Sequence, residues 1–332
     1  MRRSEAWPSF LRARPGSHLV ADAAAVLDAD VDLVVITTPP DSHAELTRRA
    51  LERGKHVVVE KPLTFDTGTA RRLAELAADR GKLLVVAPFV QMSPAMRLLW
   101  TLVDAGVTGQ VHSARAMYGN AGSTWAKWYH TSGVGPLGDL AIYNIKTLTA
   151  LLGPVVEARA LLTASGIARE FDGTALADVD PDVSQLIVRH RSGALSTIMA
   201  SHAVWAYRRT AVELYGSEGT ANLLGDDWDP VGIEVFRGDW GHWRSYASPD
   251  RTWNWTDGLR EAVMALATGR SPAVDLEHDI HVVDVLGAAV RSAADDGRPV
   301  PVASDFGPLD LTYDFDAAVA VIHDHTRPRG EQ

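Results

Sequence analysis

The sequence of 332 residues contains no cysteine. Disulfide bonds, thiolate metal sites and cysteine nucleophiles are therefore excluded, and this composition is typical of a cytoplasmic protein. Basic residues are outnumbered by acidic ones, and the net charge of −10 argues against a nucleic-acid partner. No apolar run is long enough to span a bilayer, and the N-terminal segment lacks the apolar centre of a secretory signal. We expect neither a membrane nor a nucleic-acid partner.

The first part of the sequence alternates apolar runs of strand length with amphipathic segments. Buried strands are predicted at residues 31–36, 56–59 and 83–86, together with a short strand at 18–20. Helices are predicted at residues 2–14, 22–27, 42–53, 66–80 and 94–105. Strands that alternate with helices across short connections predict an α/β fold with a doubly wound parallel sheet.

From about residue 111 the pattern changes to strands in which apolar and polar residues alternate. The predicted strands cover residues 111–118, 155–163, 183–190, 194–204, 210–216, 219–224 and 231–237. The predicted helices cover residues 136–152, 256–268, 278–294 and 315–324. We therefore predict two domains. Residues 1–110 contain the parallel sheet, and residues 111–332 form an α/β domain with a large, mostly antiparallel sheet packed on helices.

The motif Glu60-Lys61-Pro62 directly follows the predicted strand at residues 56–59. In parallel α/β sheets, ligands bind at the carboxyl ends of the strands, which places Lys61 where a substrate and a cofactor would meet. A lysine at that position holds a polar group by charge and hydrogen bonding, or transfers a proton. The alternative interpretation is a surface lysine at a strand end, with Pro62 stopping the strand.

Several motifs in order along the chain resemble the glucose–fructose oxidoreductase/inositol dehydrogenase (Gfo/Idh/MocA) family. They are Val34-Val35-Ile36-Thr37-Thr38-Pro39 with His43, then Glu60-Lys61-Pro62, the segment 133–139, the segment 216–220, and Glu277-His278. The resemblance implies an NAD(P)-dependent oxidoreductase with a Rossmann domain and a C-terminal α/β domain. It also implies sugar, cyclitol or related polyol substrates, and a homodimer or homotetramer formed through the C-terminal sheet.

The predicted helix at residues 136–152 departs from the family pattern of Asp, His four residues later, and Asp three residues beyond. Here these positions are Asp139, Tyr143 and Lys146, and spacings of four and three predict one shared helix face. Tyrosine at the second position resembles the dihydrodiol and xylose dehydrogenase branch, in which it is the proposed proton donor. Lys61 would stabilise the phenolate of Tyr143, and Asp139 would orient substrate hydroxyls or Lys61.

The alternative for this helix is a core aromatic residue, Tyr143, with a structural hydrogen bond to Asp139. Lys146 either contacts an anionic group of the substrate or reaches solvent. Lys61, Tyr143 and Asp139 are the predicted catalytic residues, and the first two carry the proton side of hydride transfer. The family resemblance favours the catalytic interpretation over packing.

Other candidates follow from their positions in the resemblance. Cofactor contacts are expected from Thr37, Thr38, Pro39, His43, Glu60, Lys61 and Gln91, although His43 and Gln91 also suit structural roles. Substrate contacts are expected from Lys61, Trp125, Trp128, Asp139, Tyr143, Lys146 and His278. Trp125 and Trp128 either stack on a sugar ring or fill the space between the domains. Without the resemblance, His278 is interpreted as a residue near a helix cap. His202, His242 and His281 lack metal-ligand spacing, so no metal is expected.

The largest departure from the family is the absence of a strand, a Gly-x-Gly-x-x-Gly turn and a helix before residue 31. Such a unit lets the backbone approach the pyrophosphate of a dinucleotide. The fold class is therefore an N-terminally incomplete Rossmann domain plus the C-terminal domain, with residues 31–36 as an exposed apolar edge strand. The open explanations are a start codon assigned too late, a relic unable to bind cofactor, and a ligand-binding or regulatory protein. We favour the first, because the motifs persist from residue 31 onward.

These observations predict an oxidoreductase that moves hydride between NAD or NADP and a carbohydrate-like substrate. The alternative is a homologue without cofactor that acts as a ligand-binding or assembly protein. The residue that selects between NAD and NADP lies at the end of the second strand of a complete Rossmann domain, and that strand is not found in this sequence.

Overall fold

The structure is a computed structural model that describes residues 16–311, apart from Trp125, Val134, Arg209 and Asp227. The predicted helices at residues 2–14 and 315–324 lie outside the described residues, as does the predicted site residue Trp125. Among the described residues, no helix is both long enough and apolar enough to cross a membrane.

The first part of the chain forms the alternating strands and helices that the apolar runs predict. They are α1 (Ala23–Asp28), β1 (Leu33–Ile36), α2 (His43–Glu52), β2 (His56–Val59), α3 (Thr67–Asp79), β3 (Leu84–Val86) and α4 (Pro94–Asp104). The three strands pair in parallel in the order β1-β2-β3, with Val34 opposite Val57 and Val57 opposite Leu84. The parallel sheet is confirmed. The strand predicted at residues 18–20 is wrong, because this exposed segment pairs with no strand of the described chain.

Capping residues set the bounds of several helices. Asp22 accepts a hydrogen bond from the Ala25 N–H at 2.9 Å, and Asp66 accepts one from the Thr69 N–H at 2.8 Å. Ser42 does not cap α2, because its hydroxyl donates to the Pro39 carbonyl at 2.8 Å within a 3₁₀ turn. A second 3₁₀ turn, Val90–Met92, precedes α4.

The second part of the chain forms a nine-stranded sheet and the helices that cover one of its faces. The elements are β4 (Val111–Gly119), α5 (Trp128–Thr131), a π-helical turn (Leu137–Ala141), α6 (Ile142–Leu152), β5 (Val155–Thr163), β6 (Glu170–Phe171), β7 (Thr174–Ala175), β8 (Val183–His190), β9 (Leu195–Ser201), β10 (Val212–Gly216), β11 (Gly219–Asp226), β12 (Asp229–Arg237), β13 (Trp243–Ala247), α7 (Asp257–Thr268), α8 (Leu276–Ala294) and β14 (Val300–Pro301).

The large sheet has the strand order β13-β12-β11-β10-β4-β9-β8-β5-β14. Only β4 and β9 pair in parallel among these neighbours, so the predicted mostly antiparallel sheet is confirmed. The sequence analysis missed the strands β13 and β14, and the β6-β7 hairpin. The predicted domain boundary near residue 110 falls between α4 and β4 and stays a prediction.

Helix α8 packs into both parts of the molecule. Ile280 and Val283 join the apolar core of the parallel sheet, whereas Val282, Val285 and Leu286 join the core of the nine-stranded sheet. The middle of α8 is buried on all sides, and its buried polar side chains, such as Asp279 and His281, have partners in other elements. This burial holds the two sheets together, and it brings the carboxyl end of β2 to the beginning of α6.

Strand β1 forms an edge of the three-stranded sheet, as expected. Val35 on this strand is 44% exposed, and the neighbouring Leu19, Val20 and Val26 are exposed as well. The opposite side of β1 contributes Val34 and Ile36 to the core.

Candidate active site

A cavity of about 840 Å³ opens at the carboxyl ends of the three parallel strands, against the π-helical turn before α6. The strand ends contribute mostly polar side chains, and the second part of the chain contributes most of the aromatic ones. The lining includes Thr37, Thr38, His43, Glu60, Lys61, Phe89, Tyr118, Asn120, Trp128, Tyr129, Asp139, Tyr143, Trp228 and Trp255. This location is the one expected for ligands in a parallel α/β sheet.

Lys61 and Asp139 form an ion pair at the floor of this cavity. The Lys61 Nζ donates to Asp139 Oδ1 at 2.6 Å and to the Asp139 carbonyl oxygen at 2.6 Å. Their side chains are only 12% and 8% exposed, so solvent screens the attraction weakly. Burial acts to raise the pKa of Asp139, but the Lys61 ammonium and the hydrogen bond from His202 outweigh it and lower that pKa. The carboxylate is therefore ionised and Lys61 is held in place.

Tyr143 lies beside this ion pair. The Lys61 Nζ is 4.9 Å from the centroid of the Tyr143 ring, within the range of a cation–π interaction. Tyr118 meets the Tyr143 ring edge-on, with centroids 5.6 Å apart. Burial, together with Tyr143 and Asp139, raises the pKa of Tyr118, and burial raises the pKa of Tyr129 to about 12. Tyr118 and Tyr129 are consequently neutral phenols at ordinary pH.

Aromatic rings form one wall of the cavity. Trp128 and Tyr129 stack with centroids 4.0 Å apart and planes inclined by 18°. Trp228, Trp255 and Phe89 add further aromatic surface. Large rings that face a cavity also lined by Lys61 and Asp139 suit a ligand with one apolar face and one hydroxyl-rich face.

Most of the predicted cofactor residues follow β1 or β2, and Gln91 lies in the 3₁₀ turn after β3. The His43 ring is buried and lies 2.7 Å from the Thr38 carbonyl oxygen and 2.8 Å from that of Pro62, so it joins these two loops. Thr37, Thr38, His43, Glu60 and Lys61 line the cavity.

Two predicted cofactor residues are not among the side chains that line the cavity. The Pro39 carbonyl accepts the hydroxyl of Ser42. Gln91 is buried, and its Oε1 has no hydrogen-bond partner among the described residues. These two positions are close in sequence to the lining residues Pro40 and Val90.

Lys146 and His278 do not reach the cavity. Lys146 is buried and pairs with Asp279 of α8, and His278 Nε2 lies 2.7 Å from Thr149 Oγ1. The expectation that Asp139, Tyr143 and Lys146 share one helix face is therefore corrected. Asp139 in the π-helical turn and Tyr143 at the start of α6 both line the cavity. Lys146, three residues farther along α6, does not, because Asp279 of α8 is its buried partner.

His202 is a site residue that the sequence analysis missed. Its Nε2 donates to Asp139 Oδ2 at 3.1 Å, and its side chain is 2% exposed. The sequence spacing of His202 excludes it from a metal site and gives no indication that it meets Asp139. The available signal was its position immediately after an alternating strand, β9, which ends at Ser201.

Comparisons with known proteins agree with this geometry. Residues 2–87 match the model of an oxidoreductase family with an NAD-binding Rossmann fold, and residues 96–222 match the GFO/IDH/MocA C-terminal domain. Levoglucosan dehydrogenase of Pseudarthrobacter phenanthrenivorans is 26% identical over 306 residues, which cover 84% of this chain and 77% of that protein. Inositol 2-dehydrogenase of Rhizobium meliloti is 27% identical over 273 residues, 80% of each chain.

The fold also matches solved structures. A levoglucosan dehydrogenase in complex with NADH and levoglucosan superposes with a TM-score of 0.75 at 23% identity, covering 86% of this chain and 83% of that one. The relatives named above are dehydrogenases, so a ligand-binding or assembly protein without cofactor gains no support from them. The two family models fall on consecutive parts of the chain, in the order of the two sheets. The chain belongs to the Gfo/Idh/MocA family of NAD-binding oxidoreductases.

Proposed function

We propose that the chain transfers hydride between a nicotinamide dinucleotide and a hydroxyl-bearing carbon of a sugar, cyclitol or related polyol. The observation that carries this proposal is the buried Lys61–Asp139 pair, which lies beside Tyr143 at the carboxyl end of β2. Oxidation of an alcohol needs a group that accepts the hydroxyl proton and a positive charge that stabilises the oxygen. Tyr143 and Lys61 supply these two features within one cavity.

A nicotinamide dinucleotide bound at the carboxyl edge of the parallel sheet would supply or accept the hydride. The lining fits the nicotinamide end of such a group, because Thr37 and Thr38 at the end of β1 and Glu60 at the end of β2 line the cavity. The glycine-rich turn that would hold the pyrophosphate is not found in this sequence. Thr37, Thr38, Pro39, His43, Glu60, Lys61 and Gln91 are the residues that we propose to hold the cofactor.

The chain's own residues handle the proton. Lys61 lines the cavity and keeps a positive charge near the reacting oxygen. Asp139 fixes the position of that ammonium through its carboxylate and its main-chain carbonyl. Tyr143 exchanges the proton with the substrate hydroxyl, as its counterpart is proposed to do in the dihydrodiol dehydrogenase branch. The surrounding aromatic rings exclude water from the reacting atoms.

The aromatic wall and the polar floor together favour a carbohydrate-like substrate. Trp128 is the residue that we propose to stack on the apolar face of the ring, with Tyr143, Asp139 and Lys61 on the hydroxyl side. The named relatives act on levoglucosan and inositol, which are uncharged polyhydroxylated rings.

We also place a homo-oligomer contact on the open face of the nine-stranded sheet. Leu161, Ile187 and Leu195 project from this face on β5, β8 and β9, and each is more than 40% exposed. Exposed apolar side chains on neighbouring strands favour association with a second copy. Light scattering of the unaltered chain and of Ile187→Glu tests this contact. If the two proteins have the same molar mass in solution, the contact does not lie on this face.

The proposed reaction is tested by kinetics in the full chain. NADH and NADPH are first titrated by fluorescence, and turnover is then measured with NAD⁺ or NADP⁺ and a panel of uncharged sugars and cyclitols. Lys61→Met and Tyr143→Phe are each expected to lower kcat by about 10²- to 10⁴-fold. The control is Lys55→Met, because Lys55 precedes the same strand at its opposite end and donates to the Ala29 carbonyl.

The results separate the proposal from its rival. Binding of a dinucleotide, turnover, and loss of turnover only in the two site variants support the dehydrogenase. Binding of a sugar without any dinucleotide binding supports a ligand-binding protein. Near-normal kcat in both Lys61→Met and Tyr143→Phe removes these residues from the chemistry.

A further inference from the structure

The Asp139 carboxylate is held at both of its oxygens. Oδ1 accepts from Lys61 Nζ at 2.6 Å, and Oδ2 accepts from His202 Nε2 at 3.1 Å. Lys61, Asp139 and His202 come from the end of β2, the π-helical turn before α6, and the residue after β9. The side chains of Asp139 and His202 are 8% and 2% exposed. One buried carboxylate therefore joins the active-site lysine to a histidine from the nine-stranded sheet.

His202 is held in place by its own main chain. Its N–H donates to the Asp182 carbonyl at 2.9 Å, and its carbonyl accepts from Arg169 Nη2 at 2.7 Å. Arg169 Nη2 also donates to Asp182 Oδ2 at 2.8 Å, and these side chains are 7% and 6% exposed. A buried arginine–carboxylate pair thus braces the strand end that carries His202.

The imidazole ring of His202 is restricted as well. The rings of Tyr129 and His130 meet it edge-on, each with a centroid distance of 6.0 Å. An ionised carboxylate only accepts hydrogen bonds, so the His202 nitrogen that faces Asp139 carries the proton. This geometry makes His202 a fixed donor, whose ring has little freedom to turn away from the carboxylate.

We propose that His202 is a positioning residue, which anchors Oδ2 of Asp139 so that Oδ1 stays directed at Lys61 Nζ. The proposal rests on the proposed function, in which Lys61 stabilises charge at the reacting oxygen. Without the His202 N–H, a buried carboxylate oxygen loses its donor, and the carboxyl group is free to rotate away from Lys61. Loss of the donor also favours the protonated form of Asp139, which no longer holds the ammonium.

The test compares His202→Ala with His202→Gln, whose side-chain amide restores an N–H donor near the position of Nε2. The titration of Asp139 is measured by ¹³C NMR of its carboxyl carbon in the selectively labelled full-length chain. The signal is assigned by its absence in Asp139→Asn. The pH dependence of kcat/KM and the separate values of kcat and KM are measured in parallel. His190→Ala is the matched control, because His190 is a buried histidine of β8 that lies outside the cavity.

His202→Ala is expected to raise the Asp139 titration midpoint by about one pH unit and to move the acidic limb of kcat/KM in the same direction. It is also expected to lower kcat by about tenfold with a smaller change in KM, and His202→Gln is expected to restore most of both. His190→Ala leaves the Asp139 titration unchanged.

An Asp139 titration that is the same in the unaltered chain and in His202→Ala overturns the proposal. Equal shifts in His202→Ala and His190→Ala also overturn it, because they indicate a general loss of packing. Absence of turnover in the unaltered chain refutes the proposed function alone, because the titration of Asp139 requires no turnover.

Discussion

The ammonium group of Lys146 is buried against the carboxylate of Asp279, and this pair joins α6 to α8. Their side chains are 0% and 4% exposed, and Asp279 Oδ2 has no hydrogen-bond partner among the described residues. Burial raises the pKa of Asp279 to about 7, despite the opposing effect of Lys146. Because α6 carries Tyr143 and α8 packs into both cores, this pair sets the position of the candidate catalytic helix.

Breaking the Lys146–Asp279 pair is expected to destabilise the protein more than replacing both residues. Lys146→Met or Asp279→Leu alone leaves one buried charge without a partner, which typically costs about 3–5 kcal/mol of unfolding free energy. The double variant Lys146→Met/Asp279→Leu removes both charges and is expected to lose less unfolding free energy than either single variant. Urea denaturation of the four proteins measures these differences.

The control for this cycle is the exposed pair Arg191–Asp305, whose side chains are 55% and 49% exposed. Arg191→Met is expected to cost less than about 1 kcal/mol, because solvent screens an exposed ion pair. If the double variant at 146 and 279 loses as much unfolding free energy as the two single variants together, the two charges are not coupled.

His281 is expected to make stability depend on pH below neutrality. Its Nε2 accepts the Val155 N–H at 2.9 Å, and burial lowers its pKa to about 4. The unfolded chain takes up a proton here near its ordinary pKa of about 6.5, whereas the folded chain resists protonation until about pH 4. The stability contributed by His281 is therefore present above pH 6.5 and lost as the pH falls through this window.

His281→Gln removes this titration, and unfolding free energies of both proteins at several pH values isolate its effect. Between pH 7 and pH 5 the unaltered chain is expected to lose about 2 kcal/mol relative to His281→Gln. The comparison is made as a difference, because Asp279 contributes in the opposite direction: its raised pKa makes stability fall as the pH rises from about 4 to 7. Parallel curves for the two proteins would contradict this assignment.

Trp128 is expected to contribute to substrate binding and not to cofactor binding. Trp128→Leu removes the ring that stacks on Tyr129 and is expected to raise KM for the sugar about 3- to 10-fold. The dissociation constant of NADH is expected to stay the same, because Trp128 is not among the residues that we propose to hold the cofactor. The control is Trp243→Leu, since Trp243 lies on β13 outside the cavity. Equal changes in KM in the two variants would argue against stacking.

Gly258 is expected to be intolerant of a larger side chain. A Cβ atom at Gly258 would overlap Cγ of Phe89, which lines the cavity. Gly258→Ala is therefore expected to displace the Phe89 ring, to cost about 1–3 kcal/mol of stability and to weaken ligand binding. Thermal unfolding and NADH titration measure the two effects.

Gly68 provides the matched control, because it is the second residue of α3 just as Gly258 is the second residue of α7. The nearest atom to a Cβ at Gly68 is Arg72 Nη1 at 3.3 Å, and this exposed side chain is free to move. Gly68→Ala is expected to be neutral or to stabilise by up to about 1 kcal/mol. A similar loss in both variants would show that the Phe89 contact does not matter.

Local patterns were sufficient for most of the fold. The apolar runs at 31–36 and 56–59 predicted parallel strands, since strands buried on both faces need apolar side chains throughout. Asp22 and Asp66 predicted helix starts because their carboxylates accept main-chain N–H groups. The short strand at residues 18–20 was wrong, because a strand requires a partner and local pattern does not show whether one exists.

The candidate site was predicted only in part. Glu60-Lys61-Pro62 and Asp139 were recognisable from their motifs. His202 was not, because nothing in its neighbourhood shows that it meets Asp139 across 63 residues of chain. Lys146 was expected to contact the substrate or solvent, because helical spacing does not show that Asp279 of α8 is its buried partner.

The sequence by itself determined the two kinds of sheet, the helix caps and the family to which the motifs belong, because these depend on local periodicity and on short stretches of chain. Only the tertiary structure decided which charges meet. Lys61 and Asp139 are 78 residues apart, and their contact depends on the packing of α8 into both cores. Lys146 is a buried anchor and not a substrate ligand because α8 presents Asp279 to it. A buried charged side chain points toward the oppositely charged group that offsets its desolvation. The whole fold determines which residue that is.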